Sequence, residues 1–333
     1  MTLNMQTKIP VLVLFAPTAT GKTALTLNLF GKSSPSFFKD KAEIISADSM
    51  QVYKDLNIGT AKPTLQEQSE LSHHLIDCIS FDKQFTVADF VEKADWWCRD
   101  IYSRGKLPVV AGGTGFYIRS FLIGLPETPE SDSELRQKLI DRCSQEGKEV
   151  MYQELLTVDP ESASKINPND EYRILRALEV FYLTGKPRSQ FVINTSLRET
   201  FDFITIILER ERQELFERIN HRVDIMFDLG LKEEVLSLIQ KGAKKEMPGM
   251  QAIGYREWFE YDYNTDQGLE KIKYNIKRNS RKYAKKQYTF MKDIPGAIYI
   301  DATDSQKMLE NVQEILKNKA CAIDLNNDLS NNI

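Results

Sequence analysis

No stretch of the 333 residues approaches the ~20 uninterrupted apolar residues that a membrane helix requires, so no membrane partner is expected. The N-terminal segment MTLNMQTKIPVLVLFAP holds only a short apolar run. It lacks a small-residue cleavage site and passes straight into a Gly-Lys-Thr turn, which argues against a signal peptide. Cysteine is scarce: Cys78, Cys98, Cys143 and Cys321 lie far apart with no C-x-x-C. That excludes a zinc finger and fits a reducing, cytoplasmic setting. Surplus positive charge is missing too. Lys and Arg number 44 against 48 Asp and Glu, a net charge of −4, so any contact with nucleic acid must come from a local patch.

What is present is ordinary for a soluble globular chain, 41% apolar and 28% charged. The length suggests two domains, or one carrying an insertion, with core enough to need no staples. Val11–Phe15, Ala42–Ala47 and Leu107–Ala111 are short apolar runs, the look of strands covered on both faces. Helical patterns at 23–30 and 86–103 separate them. This alternation predicts an α/β fold whose parallel core sheet resembles that of P-loop NTPases, with the strand-end turns converging on one cleft. Residues 9–126 form the first part of that core. A charged, proline-bearing linker, PETPESDSE, opens a mostly helical insertion expected over 127–202. The core resumes over 203–318, with Phe203–Leu208 as a further strand and basic helices after it. Residues 319–333 are expected to be a disordered tail.

The strongest local signal is Ala16-Pro17-Thr18-Ala19-Thr20-Gly21-Lys22-Thr23, set between a strand and a helix. It matches G-x-x-x-x-G-K-[ST] except at its first position. Such a loop cradles polyphosphate with backbone N–H groups, neutralises it with Lys22 and brings the Thr23 hydroxyl to Mg²⁺. Alanine at the first position matters, because alanine tolerates positive φ poorly. The bland alternative is a Gly-Lys turn opening a helix. Asp48 closes the second strand, where a carboxylate suits a general base or a water-mediated Mg²⁺ ligand; a helix N-cap explains it equally well. Gly112-Gly113-Thr114-Gly115 brings donors and a hydroxyl to a strand end, though a tight left-handed turn also accounts for its glycines. His73 and His74 have no metal set around them and read as structural, and Trp96-Trp97 reads as core.

From Lys271 to Lys286 the chain is rich in Lys and Arg and has no Asp or Glu, with Tyr274 and Tyr283 interleaved and Tyr288 and Phe290 following. A one-sign stripe with aromatics fits a nucleic-acid backbone and stacked bases. The competing explanation is a basic face paired with acidic partners elsewhere. Arg173, Arg176, Lys186 and Arg188 form a second basic cluster, which could supply the opposite wall of a groove.

Taken in order, APTATGKT, ISADSMQVYKDLNIGTAKP, GGTGFYIRSFLIGL, NDEYRILRALEVFYLTGK, ERINHRVDIMFDLGLKEEV, QAIGYREW and SRKYAKKQYTF resemble the tRNA dimethylallyltransferase family over roughly residues 9–292. The chain departs from the family's usual glycine at Ala16, from its Lys-Arg-Gln at Lys285-Lys286-Gln287, and from its tryptophan at Phe290. The zinc finger of the eukaryotic branch has no counterpart here, so the likeness is to the bacterial branch. The resemblance implies transfer of a dimethylallyl group from dimethylallyl diphosphate to the exocyclic amine of the adenosine 3′ of the anticodon. It implies Asp48 as general base and Thr114 as the hydroxyl orienting the amine. Residues Ala16–Thr23 and Arg222 would hold the diphosphate, with Thr23 at Mg²⁺. The segments matching tRNA contacts are Asp48, Ser49, Met50, Gln51, Thr114, Arg136, Tyr172, Arg173, Ile174, Leu175, Arg176, Gln251, Ala252, Ile253, Gly254, Tyr255, Arg256 and Arg281. The partner would be the anticodon stem-loop of tRNA, and a monomer is expected. No Asp-Asp-x-x-Asp motif is present, so the phosphate loop would take over neutralisation of the leaving group. A small-molecule P-loop kinase explains the loop, Asp48 and the α/β core, but neither the basic stripe nor the insertion. A nucleotide-gated RNA binder without transferase activity is the third possibility.

Overall fold

In the computed structural model, residues 8–192, 195–292 and 294–320 are described; from 321 onward the expected tail, with Cys321, lies outside them. Six strands form one all-parallel sheet: β1 Ile9–Phe15, β2 Ala42–Ala47, β3 His73–His74, β4 Leu107–Gly112, β5 Phe201–Glu209 and β6 Ile298–Asp301. Their order is β3-β2-β4-β1-β5-β6. The helices are α1 Lys22–Phe30, α2 Leu65–Glu70, α3 Val87–Ser103, α4 Gly115–Ile123, α5 Ser133–Glu146, α6 Lys148–Val158, α7 Pro160–Lys165, α8 Glu171–Thr184, α9 Arg212–Asp228, α10 Leu231–Gln240, α11 Asp266–Met291 and α12 Ser305–Ala320.

Alternation along β1 explains the layering. Leu12 and Leu14 join Leu25 and Leu29 of α1 and Met308, Val312 and Leu316 of α12 in one buried cluster. Val11, Val13 and Phe15, equally buried, point to the other face. Helix α3 packs against β1, β2 and β4 through Phe90, Val91, Ala94, Cys98 and Ile101. Trp96 falls off that stripe and is 58% exposed, so it is not the core residue expected; Trp97 is half-buried and stacks on His74 with ring centroids 3.7 Å apart.

The chain falls into two compact units, one of residues up to Leu122 and from Leu197, the other Ile123–Ser196. The second is helical, α5–α8 packed around Leu139, Cys143, Met151, Leu155, Ile174, Leu175 and Leu178. Its hub is the carboxylate of the fully buried Glu179. That group accepts from the Ser131 hydroxyl (2.6 Å), the Asp132 amide (2.9 Å) and Arg176 (2.8 Å).

In the first unit, buried Glu43 on β2 accepts both Arg104 amino groups at 2.6 and 2.7 Å and meets His74 Nε2 at 2.7 Å. These partners, Arg104 foremost, hold its carboxyl down to about 2 against burial. A depressed folded-state value stabilises the fold above the unfolded value of ~4.3, and the benefit drains away as pH falls toward 2. Arg104 is partly exposed, which screens the pair, so Glu43→Gln should cost about 2 kcal/mol at neutral pH. Urea unfolding of both proteins at pH 7 and pH 3 should show the gap narrowing at the lower pH; a constant gap rules this account out.

Candidate active site

Register puts three strand ends level. Phe15 pairs with Gly112, and Gly112 pairs with Ala47 on its other side. Ala16, Asp48 and Gly113 therefore leave the sheet together, at the carboxyl edge where parallel sheets bind ligands. Above them opens a cavity of about 1340 Å³.

The phosphate loop forms because its carbonyls are tied back. Thr20 donates its hydroxyl to Pro17 O (2.9 Å), Arg218 Nε donates to Ala19 O (2.8 Å), and Arg210 Nη2 to Thr20 O (3.3 Å). The amides of Gly21, Lys22 and Thr23 at the start of α1 have no acceptor among the described residues. Unpaired amides on the positive end of a helix make an anion seat. Ala16 does not carry the expected backbone penalty. The left-handed residues are Ala19 (φ 64°) and Gly21 (φ 112°), so the strain, about 1–2 kcal/mol for a residue with a Cβ, falls at Ala19. Ala16 is wholly buried in the core, its amide on Gly112 O (3.3 Å).

Two cations face this seat. Burial lowers the pKa of Lys22, opposed by the Asp48 charge and reinforced by Arg222. Burial likewise lowers that of Arg222, again opposed by Asp48. Arg222, on α9, donates to Thr18 Oγ1 at 3.1 Å, while Lys22 Nζ has no hydrogen-bond partner among the described residues. Half-buried cations short of counter-charge are preorganised for a polyanion.

Asp48 caps no helix, since β2 is followed by an irregular turn. Its Oδ1 accepts the amides of Met50 (2.9 Å) and Gln51 (3.4 Å), leaving Oδ2 without a partner among the described residues at the cavity wall. Thr114 accepts the Ser49 amide at 3.0 Å and donates to Ser49 Oγ at 3.3 Å, which fixes it beside that turn. The glycines around Thr114 answer to crowding, not to a left-handed turn; Gly112, Gly113 and Gly115 all have ordinary φ. A Cβ on Gly112 would lie 2.1 Å from Ala47 O, one on Gly113 2.5 Å from Gln287 Nε2, and one on Gly115 2.6 Å from Phe290 Cβ.

Helix α11 closes the cavity. Gln287, 2% exposed, accepts the Thr18 amide (3.3 Å) and donates to Gly113 O (2.6 Å), tying the phosphate loop to the Thr114 turn. Tyr283 donates to Gly113 O at 3.4 Å; burial and the Asp48 charge push its phenol up to about 12, with Thr114 pulling the other way. In the sequence, Gln287 shows no site role and Tyr283 reads only as an aromatic of the basic stripe, because their partners lie 170 or more residues away.

Several expected tRNA contacts are occupied otherwise. Ile174 and Leu175 are core of the helical unit, each 1% exposed, so their side chains cannot meet a ligand. Tyr255 is buried, and the Gln51 side-chain amide is spent on Thr60 O, Ala61 O and Ser46 Oγ, though Gln51 and Ala252 still border the cavity. Gly254, left-handed at φ 103°, donates its amide to Glu257 (2.9 Å) and turns the QAIGY loop. Gln251, Ile253 and Arg256 line the cavity with Ser49 and Met50. In the helical unit Tyr172 and Arg173 are open to solvent, and Arg136 lies 4.8 Å over the Tyr172 ring. Along the basic stripe, Lys273 and Lys277 pair with Asp224 at 2.8 and 2.7 Å, and Arg281 bonds Asn220, so part of it is an internally neutralised face. Lys282, Lys285 and Lys286 are exposed. Of the aromatics only Tyr274 is freely exposed; Tyr288 bonds Arg210 O and Phe290 packs on Gly115.

A family model described as IPP transferase matches residues 51–294. The tRNA dimethylallyltransferase of Sulfurihydrogenibium sp. (strain YO3AOP1) is 43% identical over 278 residues, 83% of this chain and 87% of that protein. That of Thermoanaerobacter sp. (strain X514) is 38% identical over 317 residues, covering 93% and 96%. Among solved structures, the tRNA isopentenylpyrophosphate transferase of Bacillus halodurans is 34% identical with a TM-score of 0.65, over 94% of this chain and 97% of that one. A eukaryotic dimethylallyltransferase acting on tRNA gives a TM-score of 0.78 at 30% identity, over 94% and 79%.

Proposed function

Since this chain belongs to the tRNA dimethylallyltransferase family, we propose that it carries out tRNA dimethylallyl transfer with the cavity at the sheet's carboxyl edge as its active site. The single observation that carries this placement is the level exit of three elements: an anion seat, a carboxylate and a hydroxyl leave β1, β2 and β4 on the same rung. The donor is dimethylallyl diphosphate, and the acceptor is the exocyclic amine of the adenosine 3′ of the anticodon.

The diphosphate sits on the amides of Gly21–Thr23 between Lys22 and Arg222. Their charge stabilises the leaving group as the allylic C–O bond breaks. The amine's nitrogen forms the new bond to the allylic carbon, and its proton passes to the free oxygen of Asp48 while Thr114 orients the base. A target base must leave its stack to reach a site this deep. Mg²⁺ fits the donor set: the Thr23 hydroxyl makes no hydrogen bond among the described residues, and Mg²⁺ is commonly held by one or two protein oxygens together with substrate phosphates. Bound there, the ion adds to the neutralisation of the diphosphate. A kinase reading is not favoured, because the family match covers most of the chain. Label moving from dimethylallyl diphosphate into unmodified tRNA in the presence of Mg²⁺ tests the proposal; ATP-dependent phosphorylation of a small molecule, with no label in tRNA, would overturn it.

The exposed lysines of α11 are the chain's grip on RNA phosphates, together with Tyr172 and Arg173 of the helical unit; Arg176 is instead held by Glu179 and Pro129 O. Replacing Lys282, Lys285 and Lys286 by Gln should raise the tRNA KM and flatten the salt dependence of binding. Each lost phosphate contact should remove about 0.7–0.9 from the log–log slope. An unchanged slope would place the stripe away from RNA.

A further inference from the structure

The segment Asn57–Ala61 lines the cavity yet belongs to no helix or strand, so side chains must fix its course. One carboxylate does most of this. Glu234, on α10, accepts the amides of Asn57 (3.1 Å), Ile58 (2.9 Å) and Gly59 (3.3 Å) and the phenol of Tyr255 (2.6 Å). Three successive N–H groups turned toward one anion form a concave nest. The Tyr255 oxygen in turn accepts the Gly59 amide at 3.1 Å, and a Cβ on Gly59 would lie 2.5 Å from the Tyr255 ring. Beyond the nest, the carbonyls of Thr60 and Ala61 each accept from Gln51 Nε2 at 3.3 Å, and Gln51 Oε1 accepts from Ser46 Oγ at 2.9 Å. The backbone N–H of Gln51 donates to Asp48 Oδ1 at 3.4 Å. Hydrogen bonds linked by the short covalent stretch Gly59–Ala61 and by Gln51 itself thus join Glu234 to the turn that carries Asp48. None of its members belongs to the phosphate loop.

We propose that Glu234 is a positioning residue for the acceptor half of the reaction. It moulds the Asn57–Ala61 wall and, through Gln51, sets the Asp48–Gln51 turn against the incoming nucleoside. The inference rests on the assignment of that turn to the acceptor, and the experiment separates the two. Glu234→Gln keeps the shape but substitutes an NH₂ group for an oxygen that faces only donors. The tRNA KM should then rise by about tenfold, with the donor KM changed by less than about twofold, since only the acceptor wall loses its anchor. Tyr255→Phe, which removes the phenol's bond to Glu234 and its acceptance of the Gly59 amide but leaves Glu234's three amide bonds, should move the tRNA KM in the same direction by a smaller factor. It decides the matter by the same criteria should Glu234→Gln fail to fold.

Asp48→Asn is assayed alongside. A parallel rise in both KM values, or an unchanged tRNA KM in a folded variant, overturns the role of Glu234. If Asp48→Asn retains full turnover, the acceptor assignment itself falls and this inference with it. If Asp48→Asn is inactive while both other variants behave as the parent protein, only the inference falls.

Discussion

Asp48→Asn is expected to lower kcat by about 10²–10⁴-fold, the usual contribution of a well-placed general base. The amine of adenine is a poor nucleophile while its lone pair is delocalised into the ring, so its proton must leave as the new bond forms. Asparagine is nearly isosteric, and its Oδ1 can still accept the Met50 and Gln51 amides that shape the turn. What it lacks is an oxygen able to take the proton. Donor KM and melting temperature should stay close to the parent values, which separates loss of chemistry from loss of structure. Asp48→Ala would remove the turn's acceptor as well and should add a rise in tRNA KM. Single-turnover label transfer checks both; near-parent rates in Asp48→Asn would assign proton removal elsewhere.

Loss of either half-buried cation should be comparably severe on the donor side. Lys22→Met or Arg222→Ala should reduce kcat/KM for dimethylallyl diphosphate by about 10²–10³-fold, the range seen when one stabiliser of developing negative charge is removed. The tRNA affinity should be largely retained. Because burial lowers the Lys22 pKa, the free protein loses this ammonium at a pH below the usual lysine range. Donor kcat/KM should therefore fall at high pH sooner than an ordinary lysine would dictate. The bound diphosphate favours the charged form, so kcat itself should not show that limb. If Arg222→Ala abolishes tRNA capture and spares donor kinetics, α9 belongs to the RNA side of the cavity.

The parallel core was legible because Val11–Phe15, Ala42–Ala47 and Leu107–Gly112 are buried on both faces, and continuous apolar runs announce such strands. Strand β6 was not, since Ile300 alone of Ile298–Asp301 is buried, and β3 has only two residues. The loop's motif marked the strand-to-helix turn of the expected anion seat, yet the motif could not say where its left-handed residue would fall; Ala19 holds it. Crowding at Gly113 and Gly115 depends on Gln287 and Phe290, more than 170 residues onward, and no local pattern encodes such a contact. Glu234 escaped for the same reason, as its four donors come from Asn57–Gly59 and Tyr255. Trp96 was misjudged because two adjacent tryptophans cannot share one helical face.

The 26 residues of α11 make a rod about 39 Å long that serves two masters at once. Lys282, Lys285 and Lys286 look outward, while Tyr283 and Gln287, woven between them in the chain, plug the floor of the cavity assigned to prenyl transfer. A scan of point changes along it should not yield a zone for one substrate and a zone for the other. Defects in RNA capture and in prenyl transfer should alternate every three or four positions, like the two threads of a screw.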